Sequence, residues 1–539
     1  MRRPLALLLL LPLATPLAAQ PVPDWTVLGR IRDEGFHRSQ VMTTARHLTD
    51  RIGARLTGSP AYAEAAEWTR GRFADWGLAE PRLETWEFGE GWSFSRAGAR
   101  LVAPSVAVLS ALPKAWTPPT AGRVRGPALE IQLDTLEQVQ ALSGKVAGKI
   151  LIVADQGERK DPAAPMFARH DAASLAELVE FDVPDERDPE SWSRKRREQR
   201  KIWRAANELF AAEGALATVE VSSFAHGAVR VGGGGTFGIA GEPAGVPGMV
   251  MAVESFDRVL RLLRDGVPVE LELEVEAAFH RDSPLASNTL ADLPGRDPKG
   301  EVVMAGAHLD SWHAGTGATD DAAGVAVVME AARILKSLGV APRRTIRFAL
   351  WAGEEQGLLG SKAYVASHFA TRPEPTDAEE IALPARYRRE TWPVTPKPEH
   401  AKLAAYFNVD NGGGRLRGLY AQENLGARAL FERWLSPLAD LGAATVTLEN
   451  TGSTDHVPFD RAGLPGFQFI QDERDYSTRT HHSNLDTYDH LDREDLMQAA
   501  VVLASVLWQA AEEPGAFPRK PMPKGPPAPP AKTPPVPAR

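Results

Sequence analysis

Residues 302–335 read VVMAGAHLDSWHAGTGATDDAAGVAVVMEAARIL, and residues 345–355 read TIRFALWAGEE. Glu301–Ala305 reads as a strand, Ala322–Ser337 as a helix that ends at Gly339, and Thr345–Trp351 as a second strand. Strand, helix and strand in that order are the repeating unit of a mostly parallel sheet covered by helices on both faces. In such α/β sheets the active site lies outside the carboxyl ends of the strands. The polar residues fall there. His308 and Asp310 follow the first strand, Asp320 and Asp321 open the helix after a glycine-rich turn, and Glu354 and Glu355 close the second strand.

The alternation continues downstream. Leu403–Val409 is predicted as a third strand running into Asp410, and Phe467–Ile470 as a fourth. Asp492 caps a final helix, Arg493–Ala511. Thr371–His400 is proline-rich and charged, a surface excursion. The tail from Pro514 to Arg539 is proline-rich without apolar pattern and is expected to be disordered or extended. Upstream, Ser59 and Pro60 start a helix that stops at Gly77, and Arg51–Ser59 reads as a surface loop.

Residues 115–282 have another texture. Lys149–Val153, Ala217–Val221 and Met249–Val253 read as strands, Ala205–Gly214 as a helix, and Ser255 as the cap of another. Val267–Val275 alternates apolar and acidic residues like a half-buried strand. The segment reads as a smaller α/β or β-rich unit without a catalytic constellation. Its basic run, Arg194–Arg204, follows an acidic stretch and reads as a solvated helix face. Gly232–Gly235 lacks the context of a phosphate-binding loop and reads as a turn.

Composition narrows the class. A chain of 539 residues exceeds one core, so two or three domains are expected. A net charge of −9 speaks against nucleic acid as partner. Arg2, Arg3, the apolar run Leu5–Leu13 and the small residues after it read as a signal peptide over residues 1–19. That run is short of the ~20 residues a membrane span needs, so an exported protein is expected, periplasmic or extracellular, with no membrane insertion once the signal is removed. The absence of cysteine excludes disulfides, thiolate metal sites and a cysteine nucleophile.

Imidazoles and carboxylates without thiolate suit zinc or a similar divalent ion in an open catalytic site. His308, Asp320, Glu354, Glu355, Asp410 and the late His482 are the candidates, with Asp310 placed two residues after His308 to orient its ring.

The motifs GAHLDSWHAGTGATDDAAG (306–324), LWAGEEQGLLGS (350–361), FNVDNG (407–412), STDHVPF (453–459) and HHSNLDTYD (481–489) together resemble the co-catalytic dizinc exopeptidase family, in its carboxypeptidase Q-like branch. The resemblance runs to about residue 512. It implies a peptidase domain in two parts, 20–114 and 283–512, around an inserted protease-associated domain at 115–282. It also implies two Zn2+ per chain. His308 and Asp410 would hold one ion, Glu355 and His482 the other, and Asp320 would bridge them, with Glu354 as general base. His482 rather than His481 is the ligand because it stands four residues before an acid, Asp486. His481 is then a substrate or oxyanion contact, Asp321 shapes the bridging turn, and Asp455 supports the site from behind. The implied substrate is a peptide or dipeptide, with aminopeptidase or dipeptidase action favoured and a homodimer allowed. Alternatives are a carboxypeptidase, a single-zinc glutaminyl cyclase-like enzyme and an inactive receptor-like protein. Arg55, Arg474 and Arg479 are the candidate receptors for a substrate carboxylate.

Overall fold

A computed structural model describes residues 22–154, 161, 163–180 and 191–525. The expected signal peptide and residues 526–539 of the tail lie outside the described residues. No helix among the described residues is long and apolar enough to cross a membrane.

The site-bearing sheet has eight strands in the order Ala79–Glu87, Leu285–Leu293, Thr345–Trp351, Val302–His308, Leu403–Asn408, Gly466–Gln471, Leu416–Tyr420, Thr445–Thr447. The four central strands, Thr345–Trp351 to Gly466–Gln471, are mutually parallel. Leu285–Leu293, Ala79–Glu87 and Leu416–Tyr420 join antiparallel, so the sheet is mixed around a parallel centre.

The centre is apolar on both sides because both sides are covered. Val303, Ala305 and Ala307 pack toward the helix Ala323–Ser337, while Met304 points to the opposite face with Trp351 and Tyr406. Every residue from Ala323 to Leu335 is buried, since that helix lies under Arg493–Glu512, Trp25–His37 and Val41–Arg46. Its two interior charges are satisfied locally: Arg333 bonds Glu330 at 2.8 Å and Glu34 at 2.6 Å. Leu359–His368 and His456–Arg461 cover the second face through an aromatic cluster in which Tyr406 stacks on Phe459 at 4.2 Å.

A second eight-stranded sheet runs Ala107–Leu109, Gly91–Ala103, Glu270–His280, Arg123–Ile131, Ile150–Val153, Ala217–Val221, Gly248–Met251, Ala111–Pro113. The alternation expected around Val267–Val275 is present. Leu271, Leu273 and Val275 face a core with Phe256 and Val259 of the helix Val253–Arg264. Glu270 and Glu274 face outward against Arg125 and Arg123. The sheet also takes in Gly91–Pro113, on the N-terminal side of residue 115.

Several expectations change. The helix expected at Ala205–Gly214 runs from Ser191 to Glu213, and its arginines pair with distant acids: Arg200 and Arg204 with Glu242, Arg197 with Glu380. The basic face is therefore packed in part, at Arg197 and Arg200, while Arg194, Lys195, Lys201 and Arg204 are exposed as expected. Ala252, not Ser255, is the residue before the helix Val253–Arg264. The tail is not disordered at its start. Phe517 is buried among Phe431, Trp434 and Phe467, and Arg519 donates to the His400 carbonyl at 2.9 Å.

Candidate metal centre

The expected acids and histidines converge at the carboxyl end of the parallel strands. Asp320 Oδ1 lies 3.1 Å from His308 Nε2, and Asp410 Oδ1 lies 3.6 Å from the same nitrogen. On the other side, Asp320 Oδ2 lies 3.3 Å from His482 Nε2, which is 2.9 Å from Glu355 Oε2. Two groups with the spacing of metal ligands thus share Asp320: His308, Asp320 and Asp410 in one, Asp320, His481 and His482 in the other. His481 Nε2 stands further off, 3.9 Å from Asp320 Oδ2.

The chemistry of these donors fits a cation. His308 Nδ1 is 2.8 Å from the Asp310 main-chain carbonyl, which can only accept, so Nδ1 carries the hydrogen and Nε2 presents its lone pair to Asp320 and Asp410. Asp320 Oδ2 and Glu355 Oε1 are buried without a hydrogen-bond partner. Buried carboxylate oxygens without donors are costly unless positive charge joins them.

Titration follows the same fields. Burial, helped by Asp410 at Glu354 and by Asp320 at Glu355, pushes both glutamates well above the usual carboxylate range. Asp320 is held low: burial opposes this, but the His308 hydrogen bond and the charge of His482 outweigh it. Burial lowers His482 to about 4 and His481 to about 3. His308 goes the other way despite its burial, because Asp410 and Asp320 flank it. The two imidazoles differ because His308 sits between carboxylates while His482 also faces Arg230, whose Nη2 is 3.3 Å from His482 Nδ1.

Asp310 orients His308 through its carbonyl. Its carboxylate does something else: it accepts the Thr57 hydroxyl at 2.9 Å and the main-chain N–H groups of Glu354 at 3.2 Å and Glu355 at 3.4 Å. Asp321 holds the turn, accepting from Gly324 N–H at 2.9 Å and from His308 N–H at 3.3 Å. Asp486 accepts from Thr319 N–H at 2.6 Å and from Asp320 N–H at 3.2 Å, fixing the shared carboxylate from below. Asp455 is buried against the Ser361 hydroxyl, and burial raises it to about 7.

The loop Arg51–Ser59 is not a surface loop. Arg55 is fully buried, and all three guanidinium nitrogens bond main-chain carbonyls, including Leu309 at 2.8 Å, Thr316 at 2.8 Å and Gly317 at 2.9 Å. It clamps the segment between His308 and Asp320. Gly317 is needed there: its φ is +61°, and a Cβ would stand 2.3 Å from that of Ser311. With its donors spent, Arg55 is unavailable to a substrate carboxylate. Arg474 is committed to Asp495 at 3.3 Å, and Arg479 touches Met166 Sδ at 3.1 Å with Asp475 at 3.9 Å.

His482 itself has a left-handed backbone, φ 61°, which costs a non-glycine residue about 1–2 kcal/mol. Its carbonyl accepts Val231 N–H at 3.0 Å from the loop after Ala217–Val221.

Residues 288–507 match peptidase family M28. Carboxypeptidase Q of Homo sapiens is 29% identical over 274 residues, 51% of this chain. The aligned stretch spans 52%, about half, of that relative's length. The peptidase M28 precursor from Shewanella amazonensis shares the fold with a TM-score of 0.66 at 23% identity, covering 93% of this chain and 99% of that one. BSAP, a zinc aminopeptidase from Bacillus subtilis, does so with a TM-score of 0.53 at 19% identity, covering 89% and 97%. The match lies over the segment that carries the acid and imidazole cluster, and the fold is shared across nearly the whole chain. Residues 288–507 of this protein are thus a peptidase family M28 region, set in a fold that the whole chain shares with the Shewanella amazonensis protein.

Proposed function

We propose that the chain is a two-zinc exopeptidase that removes terminal residues from peptides or splits dipeptides, with aminopeptidase or dipeptidase action favoured. The observation that carries this is the shared carboxylate: Asp320 faces His308 and Asp410 through one oxygen side and His482 and Glu355 through the other. His308 and Asp410 would hold one ion, His482 and Glu355 the second, and Asp320 both. Two shared groups, rather than one, favour this over a single-zinc cyclase. The ions, when bound, supply Lewis acidity at the scissile carbonyl and acidify water.

The protein's own groups do the rest. Glu354 is buried beside the cluster and outside both ligand groups, so it serves as general base, taking a proton from the attacking water. It then returns that proton to the leaving amine nitrogen. Asp310 fixes the main chain of both glutamates, which keeps the base and the adjacent ligand in register. His481, 3.9 Å from Asp320 at the edge of the cluster, would meet the substrate. The apolar N-terminal run fits export, and the second sheet fits an inserted domain. The test is Glu354→Gln assayed with dipeptides and tripeptides, free or blocked at each end. Two ions retained with turnover lost supports the reading; full turnover, or turnover that survives chelation, refutes it.

A further inference from the structure

A cavity of about 230 Å³ lies beside the second sheet, and no residue of the acid and imidazole cluster lines it. Arg196, Arg200, Trp203 and Asn207 reach it from the helix Ser191–Glu213, at the spacing of one helical face. Thr218 and Glu220 border it from the strand Ala217–Val221, two residues apart and so on one side of the sheet. The glycine run Gly233–Gly235 forms another wall, and Tyr387 enters from the excursion between Thr371 and His400. Glycine is required in that wall. A Cβ at Gly234 would stand 3.0 Å from Lys114 Cε, and one at Gly233 would stand 2.0 Å from the Phe237 ring.

The cavity is separate from the metal cluster. Phe237 on its wall packs against Trp116 at 5.5 Å between ring centres, Trp116 against Trp312 at 6.1 Å, and Trp312 against His482 at 5.9 Å. Trp116 and Trp312 are both buried, so two indoles stand between the cavity wall and the nearest imidazole of the cluster along this path.

Charge decides what fits. Four cations, Lys114, Arg196, Arg200 and Arg204, line the cavity against two acids, Glu220 and Glu242. Both acids are spent: Glu220 holds Lys114, and Glu242 holds Arg200 and, at 2.9 Å, Arg204. The cations are not. Lys114 is buried, and its ammonium lies 4.7 Å from the centre of the Trp203 ring with three hydrogens and, among the described residues, one acceptor. Arg200 bonds Glu242 through Nη2, while its Nη1 has no acceptor among the described residues and its guanidinium lies over the Tyr387 ring at 5.2 Å. Unspent donors beside spent acids receive an anion and offer nothing to an ammonium. Phe237, Ile239, Pro243 and Val246 make the rest of the wall apolar. The volume falls below the ~300–1,000 Å³ of drug-sized sites, which limits the occupant to about one ring.

We propose that this cavity is a second ligand site, which takes a small monocarboxylate with one apolar ring and no amino group and holds its carboxylate through Lys114 and Arg200. The site goes beyond the peptidase reading and does not depend on it.

The test is calorimetric titration of the zinc-loaded protein with 3-phenylpropionate, 3-phenylpropionamide and phenylalanine, on wild type, Arg200→Ala, Arg200→Lys and Lys114→Met. The acid is expected to bind roughly 10–100-fold more tightly than its amide or the amino acid. Arg200→Ala and Lys114→Met should each weaken it at least ~10-fold, with partial recovery in Arg200→Lys. No binding of the acid to the wild type at ~10 mM would overturn the proposal. So would equal affinity for acid and amide, phenylalanine binding as tightly as the acid, or unchanged affinity in Arg200→Ala and Lys114→Met, which would put the carboxylate elsewhere, the metal cluster included. Crystals of the wild type soaked in 3-(4-bromophenyl)propionate locate the ligand without any variant. Bromine between the helix Ser191–Glu213 and Gly233–Gly235 is expected, and bromine anywhere else alone contradicts the site.

Discussion

Asp310 Oδ1 accepts the main-chain N–H of Glu354 at 3.2 Å, which ties the end of one parallel strand to the end of its neighbour. The carboxylate is surrounded by donors only: that N–H, the N–H of Glu355 and the Thr57 hydroxyl. In Asp310→Asn the amide would bring a fourth donor among them. Leaving a buried polar group unmatched costs about 1–3 kcal/mol. The expected outcome is kcat reduced by roughly 10–100-fold with near-normal metal content, measured by steady-state kinetics and elemental analysis on the same sample. Wild-type kcat would show that the glutamates hold their place without Asp310.

Arg55 carries its charge into the interior to bind carbonyls, at some cost: burial lowers its pKa to about 10. Arg55→Ala leaves the carbonyls of Leu309, Thr316 and Gly317 without that donor. It is expected to lose at least about 3 kcal/mol of stability and to bind metal more weakly. Arg55→Lys, which cannot reach three carbonyls in a plane, should fall between the two. Urea denaturation with and without zinc reads both effects. A variant as stable as the wild type would contradict the clamp.

A buried histidine away from the ligands predicts acid sensitivity. His313 lies against Trp92 and Phe94 with Nε2 2.8 Å from the Pro113 carbonyl, and burial lowers its pKa to about 4. In the unfolded chain it takes up a proton near pH ~6.5, so the unfolded state binds more protons between that value and about 4. Stability must therefore fall as pH drops through this window, by up to about 3 kcal/mol from this residue. His313→Gln, which keeps a donor for Pro113, should flatten that part of the Tm–pH curve. An unaltered slope would assign the acid sensitivity to other groups.

The start of the tail stabilises the peptidase sheet's helical face. Phe517 sits among Phe431, Trp434 and Phe467, and Lys520 pairs with Asp460 at 2.6 Å. Ending the chain at Glu513 should cost about 2–3 kcal/mol from the phenylalanine alone. Phe517→Ala should reproduce most of the loss in a thermal melt, and no change in either would show the contact to be incidental.

How much of this was legible in the sequence depends on which forces write themselves locally. The central strands were readable because burial on both faces leaves an unbroken apolar run, and Thr345–Trp351 falls where expected. The acids and histidines stood out because they follow such runs. Ala79–Glu87, Gly91–Ala103 and Leu285–Leu293 were missed. The first two are half exposed and charged, so no face repeats cleanly, and their pairing is antiparallel across long separations. Arg55 was misread as a loop residue because its partners, Leu309 to Gly317, lie more than 250 residues later. Arg230 was unreadable for the same reason, being 252 residues from His482 in sequence. The carboxylate role of Asp310 differs from the ring-orienting role its spacing suggested, since spacing locates a residue but not which of its oxygens is used.

The central claim is that Asp320 serves two ions at once. The most direct measurement is metal stoichiometry, by elemental analysis of zinc-dialysed wild type and Asp320→Asn alongside a folded-state check by circular dichroism. The expected result is two zinc ions per chain in the wild type and the loss of at least one, with a folded protein, in Asp320→Asn. One ion per chain in the wild type, or two retained in Asp320→Asn, would contradict it.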